Sequence, residues 1–184
     1  MKLTTDPSRS KERGTQVAEF AVALPLLLFL VLLVTEGAGV IRAHQVLNNI
    51  AREGARFASN TTFSGTMTAD DTVRDMMAYG WTNNVSFLCN GTLSSPCAVP
   101  TETVAAAPAY GLDANSYTYT GSSSMCPSAT VVIIQPVWVL TSTGVYIYTS
   151  RISVTCNYAL HYMPRLLGIP NTVTLSATAE FRNL

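Results

Sequence analysis

An uninterrupted apolar run near the N-terminus limits what this chain can fold into more than any other feature. From Phe20 to Val34 the sequence reads FAVALPLLLFLVLLV, fifteen residues without a polar side chain. A bilayer core of roughly 30 Å needs about 20 helical residues. Residues from about 17 to 40 can therefore cross it if their few polar groups lie near the ends, and we predict one transmembrane helix.

The residues before this run carry a net positive charge. They are Lys2, Arg9, Lys11 and Arg13 against Asp6 and Glu12. Since basic flanks stay on the cytoplasmic side, the N-terminus is expected in the cytoplasm and the C-terminal part outside it. A cleavable signal peptide is the alternative, because it also has a basic region and an apolar run. The length of the run and the carboxylate of Glu36 in a poor cleavage site favour the anchor.

Two residues of the predicted membrane helix need an explanation. A carboxylate such as that of Glu19 costs about 2.5 to 3.5 kcal/mol toward the membrane interior, so it is a functional candidate unless it reaches the headgroups. Pro25 removes a backbone donor inside the run, which favours a kink.

Composition excludes one class of partner. The chain has 184 residues, enough for one domain beyond the anchor, with net charge zero and only 12% charged residues. A nucleic-acid partner has no electrostatic basis. The C-terminal part is rich in Thr, Ser, Asn, Tyr and Gly, which is typical of strands and turns.

Four cysteines follow the apolar run: Cys89, Cys97, Cys126 and Cys156. Their spacing does not fit zinc, and an even number in an oxidising compartment indicates two disulfides. Sequence permits three pairings. We favour Cys89 with Cys97 and Cys126 with Cys156, with buried free thiols as the alternative.

The helix is predicted to continue beyond the membrane. Leu47, Ile50, Ala51, Gly54 and Ala58 fall on one face of an amphipathic helix. A rod from Thr15 to about Ala58 would be about 65 Å long. Arg52, Glu53 and Arg56 lie elsewhere on it, and a solvated face is their simplest interpretation.

The remaining chain predicts a head of α+β class, a short helix with a small antiparallel sheet. A breaker zone at 59–68 precedes a helix from Ala69 to Tyr79, with Asp70-Asp71 and Gly80 as its caps. The predicted strands are Val85 to Cys89, Ser116 to Thr120, a hairpin of Ala129 to Leu140 with Val145 to Leu160, and Thr172 to Phe181. Pro136 predicts an edge or a bulge.

No catalytic pattern is present. The two histidines, His44 and His161, have no Cys or acid at metal-ligand spacing, and no nucleophile, zinc-protease or phosphate-loop motif occurs. We expect no enzyme activity, metal, cofactor or small-molecule substrate.

The junction before the apolar run carries a family resemblance. Gly14, four residues, then Glu19-Phe20 resembles the leader junction of pseudopilins from tight-adherence (Flp) pili. The stretch from Val17 to Ser59, with its EFAVALP start and AREGAR motif, is similar to the TadE-like family. The ending HYMPRLLGIPNTVTLSATAEFRNL also resembles TadE-like endings, whereas the middle of the chain does not.

The resemblance implies a role in Tad/Flp pilus assembly. A prepilin peptidase would cut between Gly14 and Thr15, and Glu19 would pair with the new amino terminus of a neighbouring subunit. Glu19, Phe20 and Pro25 are then assembly residues, and the partners are other pilins, Tad-type assembly components and inner-membrane lipid.

These expectations divide the chain into a cytoplasmic leader, 1–14, a transmembrane and juxtamembrane helix, 15–58, and an extracytoplasmic head, 59–184. The predicted shape is a pilin-like lollipop, a long helix with a folded head at one end. The helix crosses the bacterial inner membrane once. One alternative is a tethered adhesion or binding module that does not polymerise. The other, an anchored enzyme, has no residues to carry it.

Overall fold

The computed structural model describes residues 8–64, 69–111, 114–162, 168 and 170–182, with side chains described from residue 17 onward except at 60–64 and 138. The order of elements is α1 (Ser8–Ser64), α2 (Ala69–Thr82), β1 (Glu102–Ala106), a 3₁₀ turn (Pro108–Tyr110), β2 (Asn115–Gly121), β3 (Ser128–Leu140), β4 (Tyr146–Ala159) and β5 (Thr172–Arg182). The predicted α+β class is confirmed.

Helix α1 is a single element of 57 residues that continues through Pro25. From Val17 to Val34, here called its apolar half, α1 is mostly exposed, and from Ala43 to Ser59 it packs into the head. The face predicted from Leu47, Ile50, Ala51, Gly54 and Ala58 is buried, as expected for side chains spaced three and four residues apart. One helix therefore carries two different surfaces.

Helix α1 ends at Ser64, so the breaker zone predicted from residue 59 is wrong over its first six positions. Ala58 and Ser59 are buried, the Ser59 hydroxyl donates to the Arg56 carbonyl at 2.8 Å, and the Gln135 amide donates to the Ala58 carbonyl at 3.3 Å. Adding a residue to a formed helix costs far less than starting one. The poor helix formers Ser, Asn and Thr at the end of α1 are therefore helical, because they extend a helix that has already formed.

Helix α2 also extends further than predicted, to Thr82, and Gly80 is not its cap. The cap is Asn84, which takes the left-handed conformation with φ 58°. The Asn84 N–H donates to the Trp81 carbonyl at 3.1 Å and the Val85 N–H to the Gly80 carbonyl at 2.8 Å, a Schellman ending. Gly80 is needed for close packing, because a Cβ there would lie 2.7 Å from the Val85 carbonyl oxygen.

The five strands form one antiparallel sheet in sequence order. The predicted hairpin is confirmed as β3 and β4, with Leu140 opposite Tyr146, and the last strand is confirmed as β5. The register shifts between Ile134 and Val137, so Pro136 lies at a bulge of an interior strand. Ser116 to Thr120 lies within β2, as predicted.

The strand predicted at Val85 to Cys89 is wrong. This stretch is irregular, although Val85, Phe87 and Leu88 are buried. It crosses β2 so closely that a Cβ on Gly121 would lie 2.1 Å from the Leu88 carbonyl oxygen. Its β-forming residues fill space beside α2 instead of pairing in the sheet, because packing can override the strand preference of a residue.

All four cysteines lie in the two pairs expected from the sequence. Cys89 and Cys97 close an eight-residue separation with a Cα–Cα distance of 6.6 Å. Cys126 and Cys156 are 30 residues apart with a Cα–Cα distance of 5.4 Å, and both are buried. The second pair joins the segment before β3 to the middle of the core.

The core lies between the sheet and the two helices. Ile152, Val154, Leu175 and Ala177 point toward the helices and are buried. Over β4 and β5 the opposite face is polar: the Ser153 and Thr178 hydroxyls are 3.1 Å apart, and the Thr174 hydroxyl donates to Asn157 at 2.9 Å. Alternation along each strand explains the split.

The strands run along α1 in a fixed direction. A Cβ on Gly39 would lie 3.4 Å from the Tyr158 hydroxyl, and a Cβ on Gly54 would lie 3.0 Å from Ile152 Cδ1. Strand β4 is therefore antiparallel to α1. The β3–β4 turn at 141–144 lies at the end of the head farthest from the apolar half of α1.

Candidate assembly interface

From Val17 to Val34, α1 presents an apolar surface on every side. Eleven large apolar side chains between Val17 and Val34 are each at least 46% exposed, whereas Phe29 and Leu32 are partly covered. Among the described residues, α1 from Val17 to Ser59 is the one helix that is long and apolar enough to cross a membrane. An exposed apolar surface of this size is typical of a membrane or protein contact.

Glu19 is the carboxylate in this surface. Its side chain is exposed, and it borders a shallow hollow together with Ala18, Val22, Ala23 and Leu26. The spacing of these residues places them on one helix face. Two of them are alanines, so another helix could approach the carboxylate closely.

The other residues predicted for assembly do not line this hollow. Phe20 is exposed on a neighbouring face, and Pro25 lies inside the uninterrupted helix. Gly14 and Thr15, the predicted processing residues, lie within the helical backbone of α1, and their side chains fall outside the described ones. The four cysteines lie in the head, away from this surface.

Glu36 forms the junction between the apolar half of α1 and the head. Its carboxylate accepts hydrogen bonds from the backbone N–H of His161 and, at 3.2 Å from both of its oxygens, from that of Tyr162. Thr35, Gly39 and Tyr158 border the same small cavity. Sequence showed that Glu36 was a polar residue at the helix exit, but nothing in it pointed to a partner 125 residues away.

The small residues after Glu36 have different surroundings. A Cβ on Gly37 would meet nothing within 4 Å, whereas one on Gly39 would approach Tyr158 of the same chain. Gly39 therefore serves packing inside the molecule. Gly37 and Ala38 are exposed and remain accessible to another helix.

The AREGAR motif lies where α1 has entered the head. Ala51 and Ala55 are buried, whereas Arg52 and Arg56 are exposed. Arg56 forms an ion pair with Glu53, with Nε to Oε2 at 3.1 Å. Its side chain is 61% exposed. Such a pair adds little to stability, so its solvated-face interpretation fits the structure.

A carboxylate on α2 lies near this pair. One oxygen of Asp75 is buried without a hydrogen-bond partner among the described residues. Burial, and then the charge of Glu53, raise the pKa of Asp75. The cost of leaving this oxygen unpaired favours the protonated acid.

A second carboxylate arrangement was missed in the sequence. The buried hydroxyl of Tyr119 lies 2.8 Å from both Asp70 Oδ1 and Glu102 Oε2, which ties β2 to α2 and to β1. Burial, and then the hydrogen bonds to both carboxylates, raise the pKa of Tyr119. Asp70 was predicted as a helix cap, but it lies inside the first turn of α2, which begins at Ala69, and its bond to Tyr119 is a long-range contact.

The described residues contain no group of three or more His, Cys, Asp or Glu side chains that could hold a metal ion. The exposed apolar part of α1 is the feature of the described chain that calls for a partner.

Comparison with known proteins bears on that helix. Residues 14–56 match the family model of TadE-like protein. No curated protein and no solved structure matches the chain. The matched residues include the stretch from Gly14 to Phe20, the apolar half of α1 and the AREGAR motif, but not the sheet or the C-terminal ending. The resemblance found in the sequence is thus confirmed over residues 14–56 of α1, which are similar to the TadE-like family.

Proposed function

We propose that this chain is a non-enzymatic pseudopilin or minor pilin that takes part in assembly of a Tad/Flp-type pilus. The TadE-like match supports involvement in a Tad pilus-related function. The finer role rests on one observation: the matched helix is exposed and apolar over its first half and is part of the head's core over its second half. A subunit built this way can present a helix for polymerisation and carry a head with it.

The proposal includes membrane insertion with the N-terminus in the cytoplasm and the head outside the inner membrane. The apolar helix suits membrane anchoring by its length and composition. Prepilin peptidase would cut between Gly14 and Thr15, which leaves Glu19 as the fifth residue of the mature chain. Glu19 lies in a lipid-facing surface, where a neighbouring subunit's amino group would offset the cost of its charge.

The N-terminus of the native protein tests the processing step. Mass spectrometry of the protein from a strain with active prepilin peptidase should find Thr15 as the first residue, and a strain without the peptidase should give the uncut chain. An intact Met1 in the first strain, or a cut near Ala38, would contradict the processing claim. Co-purification of the cut protein with other pilus components tests its place in assembly.

A tethered binding module is the second candidate. The observation in its favour is a group of exposed apolar side chains, Leu140, Val145 and Tyr146, at the β3–β4 turn far from the apolar helix. Such a module would use α1 only as an anchor. It would therefore work with a helix whose Glu19 has been replaced, which distinguishes it from the pilin-like subunit.

A further inference from the structure

The length of the apolar helix limits where the outer membrane surface can lie along α1. A hydrocarbon core of roughly 30 Å takes about 20 helical residues. If the core begins at Val17, the twentieth residue is Glu36. If it begins later, or if the helix is tilted, the exit lies farther along the chain. Glu36 is therefore at the outer surface of the bilayer or below it.

A part of the head is held at the same level. The carboxylate of Glu36 binds the backbone N–H groups of His161 and Tyr162, so this turn after β4 lies directly beside the helix at its exit. At the proposed membrane level, these two N–H donors would also supply the Glu36 carboxylate with partners in place of water.

The side chain at this level suits the headgroup region. Tyr162 is 60% exposed in the chain by itself. Tyrosine is enriched at membrane interfaces because its ring enters the apolar layer while its hydroxyl stays with water and headgroups. The ring of His161 packs edge-on against it, with 6.4 Å between ring centroids.

We propose that Tyr162 makes a second contact between this protein and the membrane, in the headgroup region of the phospholipids beside the exit of α1. This inference rests on the membrane anchoring in the proposed function. It goes further, because it places one named part of the head against lipid and fixes how the head is oriented on the bilayer surface.

Photo-crosslinking of the full chain tests the contact. A benzophenone amino acid replaces Tyr162 in one protein and Tyr146 in another, and each protein is inserted in vesicles of phosphatidylethanolamine and phosphatidylglycerol. Tyr146 is a matched control, since it is 59% exposed but lies at the opposite end of the head. After irradiation, mass spectrometry should find a lipid adduct at position 162 and none at 146.

Three results would overturn the inference. They are an inserted protein with no lipid adduct at 162, equal adducts at both positions, or an adduct at 162 to a second copy of the chain. Resistance of the protein to alkaline extraction from the vesicles is measured in parallel. A chain that alkali removes would contradict the anchor and both proposals, whereas an inserted chain without the adduct would contradict the second contact alone.

The role of Glu36 in positioning Tyr162 can be tested in the same experiment. Glu36→Ala removes both hydrogen bonds to the 161–162 backbone, so the lipid adduct at position 162 should fall while insertion is retained. Glu53→Ala, on the same helix but within the head, should leave the adduct unchanged. An adduct that is equally strong without the Glu36 carboxylate would contradict its positioning role.

Discussion

Gly54 of α1 lies directly against Met76 of α2: a Cβ on Gly54 would stand 2.5 Å from the Met76 sulfur. Met76 is completely buried, so its side chain has little room to move. The absence of a side chain at Gly54 is what lets the two helices approach, and Ile152 of the sheet closes the same space.

Gly54→Ala should therefore destabilise the head. Alanine gains up to about 1 kcal/mol of helix propensity over glycine, but overpacking a closed core costs about 1 to 3 kcal/mol. We expect a net loss of about 1 kcal/mol and a larger one for Gly54→Val, measured by thermal unfolding of the full chain in detergent. Gly37→Ala is the control, since a Cβ there meets nothing, and its stability should be equal or higher. An unchanged midpoint for Gly54→Val would show that the helices can separate freely.

The two disulfides should contribute unequally to stability. The Cys126–Cys156 pair spans 30 residues and the Cys89–Cys97 pair spans 8. In the chain-entropy account, the longer loop adds about 1 kcal/mol more. The double replacement of Cys126 and Cys156 by serine should lower the unfolding midpoint more than the same replacement of Cys89 and Cys97. The opposite order would mean that the short loop, not the core bridge, holds the head together.

Tyr119→Phe should loosen the contact of β2 with α2 and β1. The substitution removes the hydroxyl that lies 2.8 Å from each of Asp70 and Glu102. Hydrogen bonds to charged groups contribute about 1.5 to 3 kcal/mol, so a loss in that range is expected from chemical unfolding. Tyr117→Phe in the same strand is the control and should change stability by less than about 0.5 kcal/mol. Equal effects of the two substitutions would contradict a special role for the Tyr119 hydroxyl.

The pH dependence of stability should include a contribution from Glu180. Burial raises the pKa of this carboxyl group, but hydrogen bonds from Thr149 and Arg151 and the charge of Arg151 lower it more, so the net pKa is below its ordinary value of 4.5. The folded state thus binds fewer protons than the unfolded state. The stabilisation is present above about 4.5 and is lost as pH falls through the lower folded pKa.

Glu180→Gln isolates this effect. The difference in unfolding midpoint between the wild type and the variant should be largest near neutral pH and should shrink below the ordinary pKa. Glu102→Gln provides a comparison with a carboxylate that binds Tyr119 instead of arginine. A wild-type advantage that grows on acidification would mean that the Glu180 pKa is raised.

Glu19→Ala should separate anchoring from assembly. Removing a carboxylate from an apolar helix lowers the cost of insertion, so membrane insertion should be near normal or better. Under the proposed function, assembly with other pilus components should fail, as measured by co-purification. Glu53→Ala, which removes a carboxylate from the head part of the same helix, should assemble normally. Normal assembly of Glu19→Ala would favour the tethered binding module.

The elements predicted well are those with a strong local pattern. The apolar run, the buried face around Leu47 and Ile50, and the β3–β4 hairpin each show the period of their structure over many residues. Single residues predicted helix ends less well. Gly80 was predicted as the end of α2, but its lack of a side chain serves close packing against the Val85 carbonyl.

Two sets of long-range contacts could not be predicted from the sequence. The Glu36 carboxylate binds the 161–162 backbone, and the Tyr119 hydroxyl binds Asp70 and Glu102. These partners are distant along the chain, and no local pattern encodes them. The stretch from Val85 to Cys89 shows that a local pattern can also mislead. Its residues favour strands, but the neighbouring β2 is already paired on both sides, so this stretch packs against the sheet without joining it.

Helix α1 also determines how the protein can bear load. Between its apolar half and the head the described helix is continuous, so the two parts are joined by one helical rod and not by a loop. A pull on the membrane part acts along a rod whose far end is gripped from Ala43 to Ala58 by α2, β4 and β5. The force is thus distributed over many packed side chains. Separating α1 from the head would require disruption of the hydrophobic core.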